Sequence, residues 1–338
     1  MAQVTGSHSR YDLQTKGENV KDDLSNIITM ISPTETPLQS NIAKGNASST
    51  VAEWLFDELA AASGSNAYID GDVFAGDTLT APARLQNHCQ IMRKDIIVTR
   101  RAQIVDQAGT KSELQRQIAK AGKELKRDVE KSICSEQVAV VGNDTTASKL
   151  AGIGSWYTTN TDRGTSGTDG VLSSTTYGYP STAVTTGTDR ALSEATLLSM
   201  IKGAYVEGGN PSLIMVGPAV KQKMSQYMFG STARIATPYQ DHGKAKSAAS
   251  VIGAVDYYTS DFGTLHIIPN RFQSETDVHI IDPEFWSLNY LDGYKTEKMA
   301  KTSDADQRML TVDVTLCSKN EAASALVGDI LSTAAMVA

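Results

Sequence analysis

Residues 110–142 read TKSELQRQIAKAGKELKRDVEKSICSEQVAVVG. Leu114, Ile118, Ala121, Leu125, Val129 and Ile133 recur there at steps of three and four, the spacing that lines one face of an α-helix. Thr110 stands three residues before Glu113, a capping-box pattern, and Gly142 supplies a stop. The pattern predicts a helix over 111–141, about 30 residues and roughly 45 Å long, enough to span a domain. Its other face carries Lys111, Arg116, Lys120, Lys123, Lys126, Arg127 and Lys131 against Glu113, Glu124, Asp128 and Glu130. Two readings stand. One is a solvated face laced with i,i+4 pairs such as Lys126–Glu130; the other is a basic stripe turned toward an acidic partner or nucleic acid.

Upstream, Leu24, Ile27, Ile28 and Ile31 give helical spacing over Lys21 to Met30, broken by Pro33 and Pro37. A short helix is expected from Pro37 to Ala43, ending at Gly45. Ser49–Asp57 and Leu85–Arg100 read as strands. The tract between them, Ala60 to Pro82, is rich in Gly, Ala and Asp. Two strands joined by a polar tract predict a long antiparallel ribbon that projects from a compact core. Trp54 and Phe56 share one face of it. A lone ribbon cannot bury that face on itself, so the reading calls for a partner surface.

Downstream, residues 158–190 are crowded with Thr, Ser, Gly and Tyr and read as a long loop or inserted hairpin. Ser193 caps a helix through Glu207. A buried strand follows at Leu213–Val216, and Pro218 opens another helix to about Met228. Strands are then expected at Val255–Thr259, Leu265–Ile268, Val278–Ile281, Trp286–Leu291, Glu297–Ala300 and Met309–Cys317, with turns at Gly263, Asn270 and Gly293. The fold class is α+β.

The chain has 338 residues and a formal net charge of −7. No stretch approaches the roughly 18 apolar residues of a membrane helix, so no membrane partner is expected. The three cysteines, Cys89, Cys134 and Cys317, are scattered and odd in number, which excludes a disulfide framework. There is no phosphate-binding glycine loop, nucleophile elbow or zinc-ligand spacing. No catalytic residues, cofactor or metal are therefore assigned, and an enzyme is not expected. Asp70, Asp72 and Asp77 allow a calcium reading, but their spacing is not that of an EF-hand, and solvated acidic turns are the commoner case. Asp282, Glu284 and Asp292 are read as turn and surface residues rather than a catalytic pair.

One resemblance orders these elements. It is carried by Asp23–Pro37 (DLSNIITMISPTETP), Glu53-Trp54, the run from Lys111 to Asp128, Lys149–Gly152 and Gly208–Pro218 (GGNPSLIMVGP). Ser260–Gly263, Pro269–Phe272, Asp282–Glu284 and Asn320–Ala322 continue it. Taken in order, these segments resemble the major capsid proteins of tailed bacteriophages with the HK97 fold. The resemblance implies an N-terminal arm (1–47), an extended loop (48–99) and a peripheral domain (100–192) holding the spine helix and the 158–190 insertion. An axial domain (193–280) and returning strands (281–338) complete the layout. It implies a virion shell protein, assembled in the host cytoplasm into hexamers and pentamers that close an icosahedral capsid around packaged DNA. The implied partners are further copies of the chain, non-specifically held DNA, a portal protein, a separate scaffolding protein and a decoration protein. An encapsulin-like compartment is the alternative within the fold, and a soluble α+β enzyme the alternative outside it.

Two expectations come from this chain itself. No Lys lies between Lys44 and Lys94, so no isopeptide cross-link from the extended loop is expected. Ordered pattern begins near Lys21, which leaves no room for a long N-terminal scaffolding segment, so a separate scaffolding protein, or none, is expected.

The total charge hides a contrast. Glu53, Asp57, Glu58, Asp70, Asp72 and Asp77 fall within 51–80, which has no Lys or Arg, whereas 111–131 has seven basic and four acidic residues. The expected inter-subunit contacts are thus Glu53, Trp54, Phe56, Asp57, Glu58, Asp70, Asp72 and Asp77 on the loop of one copy. Lys120, Lys123 and Arg127 on the helix of the next would receive them.

Overall fold

The computed structural model describes residues 32–73, 76, 81–105, 109–173, 178–230, 255–301 and 303–337. The helix expected over Lys21–Met30 lies outside them. A short helix, α1 (Pro37–Asn41), turns directly into β1 (Ala43–Asn46). The expected helix to Ala43 stops early because Ile42 is already extended and β1 is claimed by a sheet. Gly45 approaches its neighbouring strand so closely that a Cβ there would overlap the side-chain oxygen of Asn289.

β2 (Val51–Phe56) and β3 (Ala83–His88) form the antiparallel ribbon, with Val51 opposite His88 and Phe56 opposite Ala83. One residue later β4 (Gln90–Thr99) starts, but it joins a different sheet. The single strand expected over Leu85–Arg100 is therefore two. The buried side chain of Asn87 makes the corner. Its Nδ2 donates to the carbonyls of Ala151 (3.3 Å) and Leu316 (2.6 Å), and its Oδ1 accepts from the N–H groups of His88 and Ala151 (both 2.9 Å).

One turn of helix, α2 (Arg100–Ile104), leads to the long helix α3 (Glu113–Ile133). Ser112, not Thr110, is its N-cap, accepting from the N–H of Gln115. It has 21 residues rather than about 30. Past Ile133 the carbonyls of Ser135 and Gln137 accept from Gly154 and Gly152 (3.3 and 3.0 Å), so the chain doubles back instead of continuing the helix. Its inner face buries Leu125, Val129 and Ile133 completely, worth about 1.5–3 kcal/mol apiece.

The Thr/Ser/Gly-rich stretch holds α4 (Ile153–Trp156) at its entrance, then β5 (Thr161–Asp162), β6 (Val171–Leu172) and β7 (Pro180–Thr182). It is bound into the body: β5 extends a six-stranded sheet, and Arg163 is buried between Glu136 (2.7 Å) and Asp169 (2.6 Å).

Then follow α5 (Glu194–Val206), capped by Ser193, β8 (Leu213–Val216) and α6 (Pro218–Gly230). β9 (Tyr257–Ser260), β10 (Gly263–Pro269), β11 (Val278–Ile281), β12 (Trp286–Lys298), β13 (Ala305–Ser318) and β14 (Ala325–Val327) complete the chain. Gly293 is not a turn, because β12 runs through it with register shifts between Tyr290 and Lys295. One sheet has the order β1-β12-β13-β4, with α3 packed on β4 and β13. The other has the order β5-β14-β11-β8-β10-β9.

β8 explains how the two halves join. All four of its residues are buried. Leu213 and Met215 enter the core beneath α3, whereas Ile214 and Val216 enter a second core under α5 and α6. A strand buried on both faces needs an unbroken apolar run, and Leu-Ile-Met-Val is one.

Candidate inter-subunit surface

The ribbon has an anchored base and an uncovered outer part. Trp54 anchors it. Its Nε1 donates to the carbonyl of Ser318 (2.7 Å), and its ring lies 5.6 Å from that of Trp156. Leu85, opposite Trp54 in the ladder, packs on the same core. This corrects the expectation that the Trp54 face seeks a partner subunit: it faces its own body, because Ser318 and Trp156 supply the partners a lone ribbon lacks. Phe56, two residues outward, is half-buried. The other face carries Glu53, paired at 3.4 Å with exposed Arg84, and Leu55, which is 69% exposed.

Beyond β2 every described residue from Asp57 to Val73 is exposed. Asp57, Glu58, Asp70 and Asp72 are among them, together with Leu59 at 99% exposure and with Tyr68, Ile69 and Val73. Large apolar side chains left in water beside carboxylates form an exposed patch of the kind that commonly serves as an interaction surface. Asp77 lies outside the described residues.

The helix side differs from the expected strip. Lys120 is paired with Glu124 at 3.7 Å, and Lys123 is exposed. Arg127 is half-buried with its guanidinium 5.5 Å from the centre of the Phe272 ring. Two of the three expected cations are thus engaged within their own chain.

Lys120–Glu124 is an i,i+4 pair of the expected kind, but Glu130 is not the partner of Lys126 in another. It is fully buried, and its carboxylate accepts from the main-chain N–H of Leu38 (2.7 Å) and Gln39 (3.1 Å) and from Asn270 Nδ2 (3.0 Å). Burial raises its pKa, opposed by those hydrogen bonds. The carboxylate therefore ties α1 to α3. No local pattern marks it, because its partners are 91 and 140 residues away.

Several further titratable groups are internal as well. Asp277 is pushed up to about 7, first by burial and then by the nearby Glu136 charge. Burial takes His279 down to about 3 and raises the thiols of Cys89 and Cys317 to about 11 and about 12. All three cysteines are free and buried. Asp282 is a turn residue: it accepts from Glu284 N and from Asn210 N. Among the described residues no three His, Cys, Asp or Glu side chains are grouped to hold a metal ion.

Comparison with solved structures places the fold. The chain matches the cyanophage A-1(L) capsid asymmetric unit with a TM-score of 0.65 at 13% identity, covering 94% of this chain and 99% of that one. It also matches the SrpI encapsulin of Synechococcus elongatus PCC 7942, with a TM-score of 0.51 at 9% identity over 91% and 94% of the two chains. The two-core α+β body with its ribbon thus has the HK97 fold. Sequence then separates the phage shell from the encapsulin. The chain belongs to the SU10 major capsid protein family, whose model matches residues 4–331. The major capsid protein of Escherichia phage Phieco32 is 27% identical over 90% of this chain and 92% of its own length. The protein is a phage major capsid protein, a structural component of the capsid.

Proposed function

We propose that this chain assembles into hexamers and pentamers of an icosahedral shell around packaged DNA, in the host cytoplasm, without catalysing a reaction. The segments 1–47, 48–99, 100–192, 193–280 and 281–338 serve as arm, extended loop, peripheral domain, axial domain and returning strands. Portal, scaffolding and decoration proteins are the further partners of such a shell. Within it, the loop of one copy covers a neighbouring copy. The observation that carries this is the uncovered tract from Asp57 to Val73 on an anchored base. A monomer gains nothing from Leu59, Tyr68 and Ile69 in water, whereas contacts repeated around a closed ring recover that area in every copy.

The test replaces Leu59, Tyr68 and Ile69 with Ser and follows assembly by electron microscopy. The expected result is a folded chain that no longer forms shells; shells of normal yield would refute the loop's role. Charge contributes too, so assembly weakens as salt shortens the screening length from about 10 Å to about 3 Å. Nucleic acid inside native particles is expected, and protein cargo in its place would support a compartment instead.

A further inference from the structure

Between α1, β1, α3 and β12 lies an open groove of about 640 Å³. Gln39, Lys44, Asn46, Lys126, Tyr290 and Tyr294 are among its lining residues. Its charged residues are both lysines, and no carboxylate lines it. Among the described residues neither Lys44 nor Lys126 forms a salt bridge. The Lys126 ammonium lies 5.9 Å from the centre of the Tyr294 ring, and the rings of Tyr290 and Tyr294 are 6.2 Å apart. The Tyr294 hydroxyl is buried without a hydrogen-bond partner among the described residues. Two lysines, one of them over an aromatic ring, suit an extended peptide that is acidic and apolar together.

The uncovered loop carries such a peptide. Tyr68-Ile-Asp-Gly-Asp-Val73 sets large apolar side chains (Tyr68, Ile69, Val73) beside two carboxylates (Asp70, Asp72), and no Lys or Arg occurs between Lys44 and Arg84 to compete for them. All six residues are exposed, so they do not fill the groove of their own chain. We propose that the Lys44–Lys126 groove of one copy receives the Tyr68–Val73 segment of a neighbouring copy. Asp70 and Asp72 face the two lysines, and Tyr68 and Ile69 lie on the tyrosines. The assignment rests on the loop covering a neighbour and adds where it lands. It replaces the Lys120–Lys123–Arg127 strip, in which Lys120 is already paired with Glu124 and Arg127 is half-buried.

Cysteine pairing tests the contact directly, since the native thiols are all buried. A chain carrying Lys44→Cys and Asp70→Cys is assembled and then treated with oxidised glutathione. That reagent takes up the two electrons and two protons released as the disulfide forms. The expected result is a ladder of covalent oligomers on a non-reducing denaturing gel, absent from either single variant. Assembled particles that stay monomeric, or that yield only an intrachain link, would overturn the assignment.

Charge exchange separates this inference from the one beneath it. Lys44→Glu with Lys126→Glu is expected to weaken assembly about tenfold or more. Adding Asp70→Lys with Asp72→Lys to the same chain restores it. If the loop substitutions block assembly while the groove substitutions do not, the groove is wrong and the loop's role stands. If neither set matters, both fall.

Discussion

The body and the loop of this protein use the same side chains to opposite ends. In the body, Glu130 is fully buried and collects donors from α1 and from Asn270, and Asp329, 1% exposed, accepts from the N–H of Gly164. In the loop, Asp57, Glu58, Asp70 and Asp72 stand in water beside exposed Leu59 and Ile69. A buried carboxylate without donors would be too costly to persist, so each one found inside reports a contact made. An exposed carboxylate costs nothing and reports only that its surface remains open. The body's charges wire one subunit together; the loop's charges make no such contact with the described residues of their own chain and, in the proposed shell, meet another subunit.

That contrast is breakable in order of expected effect on the isolated folded chain. Glu130→Ala leaves the N–H groups of Leu38 and Gln39 and the amide of Asn270 without their acceptor, at roughly 1–3 kcal/mol each and about 4 kcal/mol together. Denaturant unfolding measures the loss, and hydrogen exchange should rise first over 37–47. Trp54→Ala, at the junction of body and loop, is expected to cost about 3 kcal/mol through lost packing on Trp156 and the lost bond to Ser318. A cost near zero would mean that the base is not anchored and that the contrast has no boundary there.

Asp277 is the pH-sensitive member of the body set. Its native pKa is raised to about 7, whereas an unfolded Asp titrates near 3.9. Between those values the native state holds a proton that the unfolded state has released, so stability falls as pH rises. Asp277→Asn should flatten that decline, by about 2 kcal/mol between pH 5 and 7. An unchanged pH profile would remove Asp277 from the account. At the small end, Asp70→Asn with Asp72→Asn should move stability by less than about 0.5 kcal/mol while impairing assembly. The same indifference applies to covalent linkage: denaturing gels of mature particles should show no ladder mapped to the loop, because no Lys lies between Lys44 and Lys94.

Much of this was legible in the chain, and its limits follow from range. Helical spacing marked the buried face of α3, and the unbroken run Leu213–Val216 marked β8, because both are written within a few residues. The acidic tract without Lys or Arg was equally plain. The end of α3 was not, since Gly152 and Gly154 draw the chain back from a distance. Nor was the split of one apparent strand at Asn87, whose partners are Ala151 and Leu316.

The sequence by itself determined most of the elements, the apolar faces they bury and the presence of an acidic, cation-free loop, because periodicity and composition are local properties. Only the tertiary structure decided which charged groups were internal. Glu130 and Lys126 sit one helical turn apart and read as a solvated pair, yet one is buried against α1 and the other lines an open groove. The same is true of Trp54, whose face along the strand is set by alternation but whose partner is set by the return of β13 and α4 beneath it. Alternation and helical period say which residues share a face; only packing says what that face meets.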